Sequence, residues 1–257
     1  MSEYIDTFKR VEHKYLLTGA QAEEIRERLA PYLREDCHPR YTLNNIYYDS
    51  PDSVLIRRSL MSPEYKEKLR LRCYGEPDET KPVFPEIKKK FDGIVYKRRI
   101  EMTHTEALRY FAGLEMMDAS HGQIGREIDY MVNFYDVVPK LFIRYDREAF
   151  AGVYESDVRV TFDTNILWRE DHVSLATRGN EKQLLGEDQV LMEIKVMDRY
   201  PLWLTKELSE MKLYRTNFSK YGKIYALQNQ RPAGTHMHYS YESLPAVKEE
   251  RACLVQF

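Results

Sequence analysis

The chain has 257 residues, of which 43% are hydrophobic and 31% charged, with a formal net charge of -2. That balance suits one large globular domain, excludes a disordered or fibrous chain, and argues against a surface that is wholly an electrostatic net for nucleic acid, while leaving room for a local basic pocket. The three cysteines, Cys37, Cys73 and Cys253, are scattered and form neither a CxxC pair nor a Cys/His cluster, so no disulfide framework or zinc site is indicated and a reducing cytoplasm is the expected setting.

Met1 to Arg10 lacks an apolar leader core, and no apolar run approaches the roughly 20 residues that span a bilayer, so no membrane segment is expected. Phe8 to Leu17 reads as a first strand with Arg10, Glu12 and Lys14 on one face and Val11 on the other. Thr18 is a helix N-cap, and the spacing predicts a covering helix over Ala20 to Leu33, with Ile25 and Leu29 four apart. Tyr41 to Asp49 is β-rich and ends in the turn Asp49-Ser50-Pro51-Asp52, ahead of an apolar segment, Leu55 to Leu60.

After Ser62-Pro63, Lys68 to Tyr74 forms the next strand. Its alternation puts Arg70 and Arg72 on one face and Leu69, Leu71 and Cys73 on the other. Two guanidiniums side by side repel, so replacing both by leucine is expected to leave the fold standing and more stable. Val83 to Lys90 is a hairpin partner, with Glu86, Lys88 and Lys90 facing opposite to Ile87 and Lys89, and Phe91-Asp92-Gly93 turns into Ile94 to Glu101. There Lys97 and Arg99 face opposite to Arg98, and alternation alone does not say which side looks inward.

Helices are expected over Thr105 to Met117 and Gly125 to Tyr135. Strands resume at Lys140 to Phe150, with Tyr145 and Arg147 alternating with Asp146 and Glu148, and at Arg159 to Asp163, with Arg159, Thr161 and Asp163 on one side. In Val190 to Val196 a single Glu193 interrupts an apolar run, and a carboxylate placed there is costly unless cations or a metal stand beside it. Leu202 to Leu213 and Phe218 to Leu227 read as closing helices, the second carrying Lys220 and Lys223 on one face. Residues 1–230 form the domain and 231–257 a tail.

About eight strands interleaved with helices point to an α+β fold, an eight-stranded antiparallel β-barrel with covering helices. A lumen fed by charged alternate residues is no dry core, and excess Arg and Lys with a few Glu specify phosphate plus a divalent ion.

At these residues the sequence resembles the VTC (vacuolar transporter chaperone) domain, the polyphosphate polymerase branch of the triphosphate tunnel metalloenzymes. Arg10-Val11-Glu12-His13-Lys14-Tyr15 looks like the family's opening strand and Asn45-Ile46-Tyr47-Tyr48-Asp49-Ser50-Pro51 like its second. Leu69-Arg70-Leu71-Arg72, Glu86-Ile87-Lys88, Tyr145-Asp146-Arg147, Arg159-Val160-Thr161-Phe162-Asp163, Met192-Glu193-Ile194-Lys195 and Phe218-Ser219-Lys220-Tyr221-Gly222-Lys223 follow in the family's order. Together they span about Phe8 to Leu227.

The resemblance implies a tunnel that passes the terminal phosphoryl of ATP to a growing polyphosphate chain and releases ADP. Manganese or magnesium is the implied cofactor, ATP and polyphosphate or pyrophosphate are the partners, and no nucleic acid is involved. By position, Lys14, Arg70, Arg72, Lys88, Arg147, Arg159, Lys220 and Lys223 would hold phosphate and Glu193 the metal, with Glu12 as a further metal ligand. The wider superfamily opens with Glu-x-Glu-x-Lys, whereas Arg10 takes the first Glu position here. Fungal members join this domain to a phosphate-sensing module and membrane helices, neither legible in this sequence. A triphosphatase and a non-catalytic polyphosphate or nucleotide receptor are the competing readings. The dispersed His13, His38, His104, His121 and His172 read as surface or hydrogen-bonded residues.

Overall fold

Alternation governs the sheet. The structure, a computed structural model, describes residues 7–8, 11–61, 64–78, 81–91, 94–176 and 179–230. The expectations for Arg10, the Asp92-Gly93 turn, Cys253 and the 231–257 tail lie outside them. In chain order the elements are β1 (Thr7–Phe8), β2 (Val11–Thr18), α1 (Gly19–Leu29), β3 (Leu33–Asp49), α2 (Val54–Met61), β4 (Tyr65–Tyr74), β5 (Pro82–Phe91), β6 (Ile94–Arg99), β7 (Met102–Thr103) and α3 (His104–Phe111). They continue with α4 (Gly122–Phe134), β8 (Val138–Gly152), β9 (Arg159–Arg169), β10 (Lys182–Gln183), β11 (Gln189–Val196), α5 (Leu202–Glu210) and α6 (Lys220–Asn229).

The strands form one antiparallel sheet in the order β1-β6-β5-β4-β3-β8-β9-β11-β2, with β7 on β5 and β10 on β9. Its two edges, β1 and β2, are consecutive in the chain: β1 pairs with β6 and β2 with β11. The opening run therefore touches both ends of the path, and the sheet curls into a barrel although, among the described residues, its ladder is not hydrogen-bonded all the way round. With β1 and β2 taken as one run, the path is the eight-stranded barrel expected from the sequence.

The barrel is polar inside and apolar outside. Leu69, Leu71, Cys73 and Ile87 turn outward into a fully buried layer with Ala107 and Tyr110 of α3 and Ile128 and Met131 of α4. Tyr15, Leu17, Val160, Phe162, Met192, Ile194 and Val196 pack outward against α1 and α5. Each of the buried Leu, Ile, Val, Phe and Met side chains contributes about 1.5–3 kcal/mol by leaving water, so the covering helices keep the charged faces pointing inward. A third cluster joins the inward-facing Leu43, Ile143, Tyr145 and Leu191 to Tyr221 and Ile224, so α6 covers an apolar part of the interior.

The helix boundaries differ from the sequence reading for identifiable reasons. Thr18 caps α1 in a capping box with Gln21, as expected, but the helix stops at Leu29 because Pro31 cannot continue it, and Leu33 already starts β3. The helix expected to reach Met117 ends at Phe111, where Gly113 adopts φ 73° and the amides of Gly113 and Leu114 bond the carbonyls of Tyr110 and Arg109. Leu55 to Leu60 is helical: the buried Asp49 carboxylate accepts from the amides of Leu55 (2.8 Å) and Ile56 (2.9 Å), and from Tyr221 Oη (3.0 Å), so one carboxylate caps α2 and pins α6. Among the described residues, no helix is long and apolar enough to cross a membrane.

Candidate active site

The inward positions of β2, β4, β5, β6, β8, β9 and β11 bring together most of the charged residues singled out by alternation, and three groups of opposite charges organise them. The first centres on Glu86 of β5, 1% exposed. Arg70 reaches it at 2.6 Å and Lys97 at 2.9 Å, with Arg72 at 3.9 Å and Arg99 at 4.0 Å. Burial pushes the Glu86 carboxyl up, but Arg70, Arg72 and Lys97 outweigh it and hold the group far below the ordinary range. Arg70 and Arg72 are therefore a pair held by a shared counter-ion, and removing both takes the closest partner of the buried carboxylate and leaves it to Lys97 and Arg99. These ion pairs argue against the stabilisation expected from relieved repulsion. Arg72 Nε also donates to Asn45 Oδ1 (3.0 Å), and Arg70 Nη1 to Tyr47 Oη (3.4 Å). The open choice in β6 resolves to Lys97 and Arg99 inward, while Arg98 faces out to Glu127 on α4.

The second group joins β2 and β11, where Glu193 lies opposite Lys14 and Lys195 opposite Glu12. Lys14 sits 3.0 Å from Glu12 and 3.6 Å from Glu193, Lys195 2.5 Å from Glu193, and Lys88 3.3 Å from Glu12. The Lys88 contact crosses from β5 to β2, spanning the gap in the ladder. Burial and the neighbouring Glu193 raise the Glu12 pKa, but Lys88, Lys14 and Lys195 win and hold it at about 2. Burial likewise opposes ionisation of Glu193, and Lys195, Lys14 and Arg147 hold it well below the usual carboxylate range.

The third group is Asp163 on β9, fully buried. Arg147 Nε and Nη2 grip both its oxygens (2.6 and 2.8 Å), and Lys220 Nζ reaches Oδ2 at 2.5 Å from the first turn of α6. Lys220 and Arg147 also lie over the Tyr145 ring, at 4.1 and 5.3 Å from its centroid.

Seven of the eight cations assigned from sequence thus find places in or beside this interior. Arg159 is on the inward register but at its rim, 46% exposed and paired with Asp36 at 2.6 Å. The eighth, Lys223, is exposed on α6, with no ion-pair partner among the described residues. Sequence reasoning left Lys97 and Arg99 undecided against Arg98, and passed over the counter-ion roles of Glu86 and Asp163 and over Lys68, Lys195, Tyr47 and Tyr145. The signal was there for most of them, since they share the period-two faces of residues it did assign.

Among the described residues, no cluster of three or more His, Cys, Asp or Glu forms a metal cage. A hard divalent ion that completes its shell with substrate phosphates and water needs only one or two carboxylates. Glu12 and Glu193 meet that need: both reach the same ammonium of Lys14, and Thr161, opposite Glu193 on β9, holds a buried Oγ1 with no hydrogen-bond partner among the described residues. The donors are all oxygen, so the residues fit such an ion.

Solved structures share the fold, among them the two that follow. A protein described as a candidate adenylate cyclase from Bacillus halodurans aligns with TM-score 0.53 at 10% identity, covering 84% of this chain and 96% of that one. A candidate adenylyl cyclase from Hippeastrum, described as having a dominant triphosphatase activity, aligns with TM-score 0.51 at 14% identity, covering 89% and 100%. A comparison with curated proteins finds no match. The profile of the VTC domain matches residues 9–229, from the charged opening strand to the last turn of α6, and the chain belongs to the VTC domain family.

Proposed function

We propose that this protein is a metal-dependent phosphotransferase that moves the terminal phosphoryl of ATP onto a polyphosphate chain and releases ADP. What supports the reading most is the convergence of cations on one inward face, where they outnumber the carboxylates Glu12, Glu86, Asp163 and Glu193. Unlike a surface patch, this face is enclosed, so its charges act in a lower dielectric and keep their strength. Phosphoryl transfer through a loose transition state needs little covalent help and is accelerated mainly by positioning and charge neutralisation.

In this reading Arg70, Arg72, Lys88, Arg147 and Lys220 hold the triphosphate, with Lys14 beside the metal ligands, Arg159 guiding the chain at the rim and the exposed Lys223 of α6 meeting it only outside the interior. Each forked guanidinium spans two phosphate oxygens, and each lysine supplies a compact charge. Glu86 and Asp163 keep the cations oriented before substrate arrives. Glu193 and Glu12 would hold a divalent ion, manganese or magnesium, which when bound supplies charge neutralisation between phosphate oxygens. No side chain need be a nucleophile, because the terminal phosphate of the acceptor chain supplies the attacking oxygen.

The test is incubation of the purified protein with ATP and manganese, with pyrophosphate as primer. Polyphosphate ladders on a gel support the reading, and no chain growth with either metal or primer refutes it. Triphosphate hydrolysis is the second reading, favoured by the fold shared with the Hippeastrum protein described as a triphosphatase. Orthophosphate release without chain growth identifies it.

A further inference from the structure

Lys68, Lys88 and Lys97 stand directly opposite one another on β4, β5 and β6, all facing the interior. Like charges in register on adjacent strands destabilise a sheet. Lys88 is compensated by Glu12 at 3.3 Å and Lys97 by Glu86 at 2.9 Å. Lys68 differs: among the described residues it has no carboxylate within ion-pair distance. Its Nζ donates instead to Ser219 Oγ at 3.0 Å. Ser219 is the N-cap of α6 and accepts the Gly222 amide through the same oxygen, and the next residue is Lys220, which grips Asp163. An ammonium in this position carries an uncompensated charge in the middle of the cationic wall, one bond from the helix that supplies another cation.

We propose that Lys68 is a further substrate-contacting residue, which takes a phosphate oxygen of the bound anion and releases Ser219 in doing so, tying occupancy of the interior to the N-terminus of α6. This rests on the triphosphate reading of the site. A neutral hydroxyl is a weaker partner for an ammonium than a phosphate oxygen, so the exchange is downhill whenever an anion enters. The groups facing Lys68 are Tyr47 from β3, Lys88 from β5, Lys14 from β2 and Arg70 on its own strand. Burial first, and then Lys88, Lys14 and Arg70, push its pKa down to about 8 against the opposing pull of Tyr47. An anion beside it reverses that balance and draws a proton onto it.

The experiment is calorimetric titration of tripolyphosphate into the full chain as wild type, Lys68→Met and Lys68→Arg. Loss of one charge-assisted contact is expected to weaken binding about 10- to 100-fold in Lys68→Met, while Lys68→Arg keeps affinity within a few fold. Tyr47 is also held at about 8, so the pH series compares Tyr47→Phe with and without Lys68→Arg. Lys97, held at about 7, and the anion's own titration are common to both, so the reading is the difference. Affinity should fall more steeply as pH rises through about 8 in the first than in the second, and equal slopes overturn the role of Lys68. Equal binding by wild type and Lys68→Met overturns the role of Lys68 and leaves the triphosphate site standing. Lys68→Arg as weak as Lys68→Met overturns it too, since the residue would then serve only to hold Ser219. No binding by wild type overturns both readings.

Discussion

Asp163→Asn tests the electrostatic logic of the interior most directly. The carboxylate is fully buried and holds Arg147 through two hydrogen bonds of 2.6 and 2.8 Å and Lys220 through one of 2.5 Å. An amide keeps the shape and leaves two enclosed cations without a counter-charge. Removing one partner of a buried ion pair costs about 3–5 kcal/mol. At about 2–4 °C per kcal/mol for a domain of this size, the melting temperature should fall by about 6–20 °C. The same variant frees the two cations for an added anion, so tripolyphosphate should recover a larger share of stability in Asp163→Asn than in wild type. A hundredfold excess over its dissociation constant would supply about 2.7 kcal/mol. Differential scanning fluorimetry with and without tripolyphosphate reads both effects. The pH dependence gives a further check: Asp163 is held below its ordinary 3.8, so its stabilisation is present above that value and is lost as pH falls through the folded value. The gap between wild type and variant should therefore narrow in acid. Melting of Asp163→Asn within about a degree of wild type, where roughly 6–20 °C is expected, would refute the view that these cations depend on a built-in counter-ion.

Arg70→Leu with Arg72→Leu should lower the melting temperature as well as abolish tripolyphosphate binding, because Glu86 loses its nearest partner; a more stable double variant in thermal denaturation would contradict the ion-pair assignment. Glu86→Gln should flatten the acid limb of stability: the wild-type carboxylate, held below its ordinary 4.5, stabilises above that pH and loses the contribution as pH falls, which acid titration followed by circular dichroism reports. Glu193→Gln is expected to lower metal-dependent turnover by about 100-fold or more while tripolyphosphate binding persists, and equal turnover would remove Glu193 from the metal site. Arg159→Ala, losing a half-exposed pair with Asp36, should change stability by less than about 1 kcal/mol in chemical denaturation.

Much of this could be read in the sequence because β-structure writes its faces at period two. Arg70 with Arg72, Glu12 with Lys14, and Glu193 amid Met192 and Ile194 each announced a charged face backed by an apolar one, and the order of these segments carried the family. Helix ends were less legible where a local breaker competed with a favourable run: Pro31 cut α1 short of Leu33, and Gly113 ended α3 before Met117. Alternation gives relative facing but not absolute direction, so Lys97 and Arg99 could be separated from Arg98 and still not be assigned inward.

What the sequence by itself determined was which residues share a face, because that follows from backbone geometry within each strand. Only the tertiary structure decided which charges neutralise which. Arg70 and Glu86 are brought together by the register of β4 on β5, Glu12 and Lys88 by the curling of the sheet, and Asp163 and Lys220 by the docking of α6. Coulomb energy depends on distance and burial, and both are set by contacts between segments far apart in the chain. The pair of arginines that looked self-repelling along one strand is for that reason held together across two.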